Sequence, residues 1–270
     1  MAEKKFRLPR SIPLEEYPTP EAFLQEARRL TEEGQRQGLS LRVMGPIALH
    51  FYFPERVDLY RRMERLGERV FTDIDYAAYG KQRGKMIPFF EAQGYEVERR
   101  ALMLSGGERH IYFSDRIPMI DVFFDRLNYN HPIDYRGRLE AHPLCVSLAD
   151  LLLQKLQIVE INDKDLKDLE FLLTVAEIGD DDARKINRSY IAARLAGDWG
   201  FWYTATTNLG RVKAHVEGVG ILDDAQKARI RLRCDEFLAR IEAEPKTKDW
   251  HKRAKKGTDK PWYNQNFSDW

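Results

Sequence analysis

Three aspartates stand where the surrounding sequence makes a charge costly. Asp73 and Asp75 lie in the alternating segment Val70-Phe-Thr-Asp-Ile-Asp-Tyr-Ala77, and Asp121 lies inside Pro118-Met-Ile-Asp-Val-Phe-Phe124. An isolated carboxylate among apolar neighbours is expensive to bury. Read as a strand, the first segment puts Phe71, Asp73 and Asp75 on one side, the two acidic Cα atoms about 6–7 Å apart. A neighbouring strand runs about 4.7–4.9 Å away, so Asp121 on it would bring three carboxylates around one or two cations. Phosphoryl or nucleotidyl transfer needs that arrangement. Mg²⁺ (or Mn²⁺) takes one or two carboxylates plus substrate phosphates, and a second ion about 3.5–4 Å away activates the attacking hydroxyl. Asp73 or Asp75 would bridge the ions, and Asp121 would complete the site and assist deprotonation of the nucleophile. Asp-x-Asp alone is common by chance; Asp121, with its apolar neighbours, is the stronger signal. Asp125 reads as a turn residue.

Other candidates carry positive charge or rings. Lys81, Arg83 and Lys85 follow Asp75 in a stretch containing Gly80 and Gly84. They suit a triphosphate, a nucleic-acid backbone or a solvated loop alike. Trp199, Phe201, Trp202 and Tyr203 read as a packing cluster rather than a base-stacking surface. The tail places Trp250, Trp262, Tyr263, Phe267 and Trp270 among lysines. That mixture suits single-stranded nucleic acid, and it equally suits a tail that folds back on its own domain or a partner. With a net charge of +1, only this local excess argues for a polyanion. His50, in an apolar run, reads as a core residue, and the other histidines show no ligand spacing. Cys145 and Cys234 read as reduced structural thiols. No stretch approaches the ~20 apolar residues of a membrane span, and no apolar run follows the start, so the expected location is cytoplasmic, with no membrane partner.

The elements that must position the acids follow from pattern. Residues 1–18 form an irregular arm. Thr19-Pro20-Glu21 opens a helix with Phe23, Ala27 and Leu30 on its apolar face, broken by Gly34 and Gly38. Leu41–Gly45 reads as a short strand. Ile47–Phe53 reads as a buried helix, with period alone leaving a strand open, and Asp58–Leu66 as a helix. A helix over 85–93 ends at Gly94, Tyr95–Arg99 is extended, and Gly106-Gly107 makes a hairpin-like turn into a strand at His110. The second half is helical. Ser147 caps a helix carrying Leu151, Leu152 and Lys155; others cover 163–176, 183–195 (capped by Asp180–Asp182), 198–216 and 223–243; Pro245 ends the folded region. The fold class is α+β, a mixed sheet with flanking helices (19–145), then a helical C-terminal region (146–244) and a basic aromatic tail (245–270).

In order and count, Met44-Gly-Pro-Ile-Ala-Leu-His, Phe71-Thr-Asp-Ile-Asp-Tyr and Met119-Ile-Asp-Val-Phe resemble the nucleotidyltransferase superfamily. The continuation, Leu148-Ala-Asp-Leu-Leu-Leu-Gln-Lys155-Leu with Asn162-Asp-Lys-Asp165-Leu-Lys-Asp168-Leu, is similar to minimal nucleotidyltransferases and AbiE-type (AbiEii-like) toxins of toxin–antitoxin pairs. The resemblance covers roughly residues 40–175. It implies transfer of a nucleotide from a nucleoside triphosphate to a hydroxyl on RNA, protein or a small molecule, and an antitoxin partner; an RNA contact in the tail rests on the tail's own basic and aromatic residues. The resemblance also implies that Gly45 and Pro46 meet phosphate, that Lys155 reaches the triphosphate, and that Asp165 and Asp168 support it or the metal site. Without the resemblance, Lys155 reads as a snorkelling lysine and Asp165 and Asp168 as a solvated helix face. The chain departs from the pattern at Pro46, which lacks the N–H that Ser or Gly would offer. A non-catalytic descendant that binds nucleotide, nucleic acid or a partner is the alternative.

Overall fold

The structure, a computed structural model, describes residues 7–65, 67 and 69–265. In chain order its helices and strands are α1 Pro20–Arg36, β1 Arg42–Val43, α2 Gly45–Tyr52, α3 Val57–Arg62, β2 Ile74–Ala78, α4 Arg83–Ala92, β3 Glu96–Val97, α5 Arg99–Ser105, β4 Arg109–Phe113 and β5 Ile120–Phe124. They continue with β6 Arg126–Asn128, β7 Pro132–Asp134, α6 Leu148–Leu156, α7 Asp163–Val175, β8 Glu177–Gly179, β9 Lys185–Asn187, α8 Arg188–Ala196, α9 Trp199–His215, α10 Asp224–Ala243 and α11 Lys248–Ala254. This is the expected α+β class, with a small mixed sheet. The chain divides into two compact units. One comprises Met1–Pro54, Leu66–Leu127 and Asp134–Val146; the other comprises Glu55–Arg65, Asn128–Ile133 and Ser147–Trp270. Segments 55–65 and 128–133, expected in the core domain, therefore cluster with the second unit.

In the first unit the sheet order is β1-β2-β5-β4-β3. β2 runs parallel to β5, and every other neighbouring pair is antiparallel. Alternation sends Tyr76, Val122 and Tyr112 to one face, where Phe90 of α4 stacks on Tyr112 at 4.2 Å and the Tyr76 hydroxyl donates to the Ala27 carbonyl of α1 at 2.9 Å. On the opposite face, Ala101 of α5 joins Ile111, Phe113 and Met119 in a buried cluster. The Thr19 hydroxyl caps α1 by accepting from Ala22 N at 3.2 Å. The helix runs through Gly34, where a Cβ would lie 3.2 Å from Leu41, and stops before Gly38, whose φ is +72°. The expected break at Gly34 is thus an intimate helix contact. Gly106-Gly107 is not a hairpin turn: it joins the unforeseen α5 to β4.

The second unit is mainly helical. Ser147 caps α6 as expected, accepting from Asp150 N at 3.1 Å. Asp180–Asp182 does not cap α8. It lies between β8 and β9, and Asn187 takes the cap by accepting from Tyr190 N at 3.0 Å. Helix α3 ends at Arg62, short of the expected span, and Leu66 lies outside the described residues. Nor does Pro245 end the fold, since α11 packs on α9. Trp250 meets Trp202 edge-on at 5.1 Å, and Arg253 lies over Trp199 at 4.9 Å. Trp262 donates from Nε1 to Thr204 Oγ1 at 3.1 Å. The 199–203 aromatics are therefore a packing platform for the tail; Phe267 and Trp270 lie outside the described residues. Cys145 and Cys234 are free and buried. Among the described residues no helix is long and apolar enough to cross a membrane.

Candidate functional site

Asp75 and Asp121 are register partners on the parallel strands β2 and β5, side by side on one face. Asp73 sits on the same side, one residue before β2 begins at Ile74. One carboxylate oxygen from each of the three lies within 4.8 Å of the other two. Two oxygens bound to a single octahedral Mg²⁺ at about 2.1 Å lie about 3 Å apart when adjacent and about 4.2 Å apart when opposite, so the three carboxylates would draw inward to share one ion. Hard carboxylate oxygens with no sulfur or imidazole among them suit Mg²⁺ or Mn²⁺.

Local contacts hold the triangle in place. Met44 N donates to Asp75 O at 2.8 Å, which brings the start of α2 beside the acids. Gly45, at φ +62°, lies against them: an added Cβ would stand 3.5 Å from Asp75 Oδ2. Pro46 occupies the first turn of α2, where an N–H has no partner within the helix anyway. His50, buried as expected, donates from Nδ1 to the Pro46 carbonyl at 3.0 Å and sets its ring against Phe71 at 4.8 Å. Asp73 accepts from Thr72 Oγ1 at 3.1 Å.

Two contributors escape sequence reasoning. Tyr17, in the supposedly irregular arm, donates its hydroxyl to the carbonyls of Phe71 and Thr72 at 3.1 and 3.2 Å. Burial, then the nearby Asp73, push its pKa up to about 12, so it remains a donor across the physiological range. Arg69 lies over its ring and donates to Ile12 O at 2.7 Å. The second is Arg109. Its guanidinium forks onto Asp121, Nε to Oδ1 at 2.9 Å and Nη2 to Oδ2 at 2.7 Å, with both side chains nearly buried. Arg109 is the diagonal cross-strand neighbour of Asp121, because Ile111 is that residue's direct partner. No spacing rule shows this register.

Lys81, Arg83 and Lys85 are not brought to the acids. They follow the C-terminal end of β2 whereas Asp73 and Asp75 stand at its N-terminal end, and Asp75 to Ala78 alone spans about 10 Å. Lys81 lies over Tyr79, and Arg83 donates to Gly107 O at 3.0 Å. Asp125 is a turn residue, at φ +61°, accepting from Gly80 N at 2.9 Å.

Lys155, Asp165 and Asp168 form a buried network inside the second unit. Lys155 Nζ meets Asp165 at 2.8 Å and Asp168 at 2.9 Å. Asp168, fully buried, also takes Arg65 at 2.8 Å and the Tyr60 hydroxyl at 2.7 Å. Burial opposes ionisation of Asp168, yet Lys155 and Arg65 outweigh it and hold its pKa below the usual carboxylate range. Burial likewise opposes the charge on Lys155, and Asp168 and Asp165 raise its pKa nonetheless. Asp165 and Asp168 are thus not a solvated face, and Lys155 does not snorkel: its ammonium is held between two carboxylates.

A scan against protein-family models finds no match for this chain, and a search of curated proteins finds none either.

Proposed function

We propose that the first unit is the core of a metal-dependent nucleotidyltransferase that moves a nucleotide from a nucleoside triphosphate to a hydroxyl acceptor. The observation that carries this reading is the convergence of Asp73, Asp75 and Asp121 on one sheet face, beside the start of α2. The donor set fits Mg²⁺ or Mn²⁺, with Asp73 and Asp75 as the principal ligands. A bound divalent ion would neutralise the triphosphate and lower the pKa of the attacking hydroxyl. The chain's own residues do the rest. Gly45 lets phosphate approach the backbone, and the N-terminal end of α2 attracts negative charge despite the N–H missing at Pro46. Asp121, once Arg109 releases one of its oxygens, would assist deprotonation of the acceptor, and His50 and Tyr17 fix the Phe71–Asp73 segment. Lys155, Asp165 and Asp168 support this reading less, since their charges already satisfy one another.

The test is calorimetric titration of ATP, GTP, CTP and UTP with Mn²⁺, comparing wild type with the double variant Asp73→Asn/Asp75→Asn. Metal-dependent binding lost in the double variant is expected, and the tightest triphosphate identifies the base. Absence of triphosphate binding at millimolar concentration by the folded protein refutes the enzyme and leaves a degenerate scaffold. An antitoxin partner follows only from the resemblance; co-expression with the neighbouring reading frame and co-purification test it.

A specific observation favours a second, compatible reading, contact with RNA through α11. Trp250 and Arg253 turn inward, while Lys248, His251, Lys252 and Lys255 stay exposed on the outward face. With its tryptophans occupied in packing, this surface would bind phosphates by charge and not by stacking. Changing the three lysines to Glu should then weaken binding of a labelled RNA and remove about two units from its log–log salt slope. An unchanged slope would overturn this reading.

A further inference from the structure

We propose that Arg109 is the resident counter-ion of the acidic cluster, one that a divalent cation must displace from Asp121, so that this arginine sets the cluster's affinity for metal. The inference rests on the nucleotidyltransferase reading.

Three carboxylates within 4.8 Å of one another repel strongly unless a positive charge lies among them. Arg109 supplies it. Its two N–H groups take both oxygens of Asp121, at 2.9 and 2.7 Å, in the planar fork geometry that only arginine offers. A ring holds the side chain in this position, for its guanidinium carbon lies 5.1 Å from the centre of Phe123, the residue two along from Asp121. The pair is sheltered, with 12% of the arginine side chain and 3% of the aspartate side chain exposed. A cation seated among the three acids needs an Asp121 lone pair now directed at the guanidinium. It also gains a full positive charge as a close neighbour. Both effects weaken metal binding, and removing Arg109 relieves both. Negatively charged phosphate arriving with the metal would offer the released guanidinium a new partner of the same geometry. Metal and triphosphate should therefore bind together better than metal alone.

The experiment is titration of the full chain with Mn²⁺ alone, followed by calorimetry and by the electron-spin resonance of free Mn²⁺. Wild type, Arg109→Gln and Arg109→Lys are compared, with circular dichroism to establish that each is folded. Arg109→Gln should tighten Mn²⁺ binding at least about tenfold, equivalent to about 1.4 kcal/mol. Arg109→Lys keeps the charge but loses the fork, and should tighten it less. If Arg109→Gln fails to fold, Arg109→Lys decides the matter: an affinity equal to or weaker than wild type overturns the inference. An unchanged or weakened affinity in folded Arg109→Gln overturns it too, while the nucleotidyltransferase reading stands if Asp73→Asn/Asp75→Asn abolishes Mn²⁺ binding. Binding gained by Arg109→Gln where wild type shows none supports it. No Mn²⁺ binding by any form overturns both readings.

Discussion

Asp168→Asn separates a structural from a substrate-binding role for the network in the second unit. The variant keeps the shape of the side chain and an acceptor for Tyr60, but removes one charge. In the native network two cations, Arg65 and Lys155, face two anions, Asp165 and Asp168. The variant leaves one uncompensated cation, on side chains only 10% and 14% exposed. One pair of unit charges about 4 Å apart at an effective dielectric of ~20 interacts by about 4 kcal/mol. Removing one partner of a buried pair typically costs about 3–5 kcal/mol. Against a total stability of about 5–15 kcal/mol that loss is large. With a urea slope of about 2 kcal/mol per molar, the unfolding midpoint should fall by about 1.5–2.5 M. Asp165→Asn should cost less, because Lys155 then keeps Asp168. The assay is urea unfolding followed by circular dichroism and tryptophan fluorescence. A loss below about 1 kcal/mol for Asp168→Asn, the range of a solvated surface change, would refute the reasoning. The pKa of Asp168 is depressed in the fold, so its contribution is present above the ordinary value of 3.8 and is lost as pH falls through the lower folded value.

His215 gives the opposite pH dependence. Its Nδ1 meets the buried Glu170 at 2.7 Å and its Nε2 meets Asp163 at 3.1 Å. Burial lowers its pKa, but the two carboxylates outweigh this and raise it above 6.5. Burial raises the Glu170 pKa as well. Both raised values favour the fold at low pH, so stability should decline as pH rises from about 6.5 through the folded His215 value. Thermal unfolding across pH 6–9 should show a slope that His215→Gln flattens. Gly200→Ala should loosen the tail, because a Cβ there would lie 2.1 Å from the backbone oxygen of Trp262. Limited proteolysis should then cleave beyond Ala254 sooner, and equal protection would count against the tail packing described above. Gly45→Ala meets no steric block, since its Cβ would contact Asp75 at 3.5 Å; its cost, about 1–2 kcal/mol, comes from the positive φ. Thermal unfolding measures that cost, and Gly45→Ala should lose more stability than Gly84→Ala in α4.

By itself the sequence determined the candidate acids and the broad class. Asp121 among Ile120, Val122 and Phe123 announced a charge in a buried strand, because an unpaired carboxylate there would be costly and a partner or a ligand must meet it. Period two placed Asp73 and Asp75 on one side, and local caps such as Thr19 and Ser147 marked helix starts, since capping depends on neighbours two or three residues away. Tertiary structure decided what depends on register and distant partners. Asp75 faces Asp121 only because β2 and β5 align in parallel, a pairing across 46 residues that leaves no local trace. Arg109 reaches Asp121 through the β4–β5 register, and Lys81, Arg83 and Lys85 fall at the wrong end of β2 because the strand carries the chain away from the acids. Asp168 reads as exposed on its own helix, and becomes buried only because Tyr60 and Arg65 arrive from more than a hundred residues upstream. The tail, which by its residues suits nucleic acid as well as folding back, packs on α9 because Trp250 and Trp262 find partners there in Trp202 and Thr204, half-burying both rings.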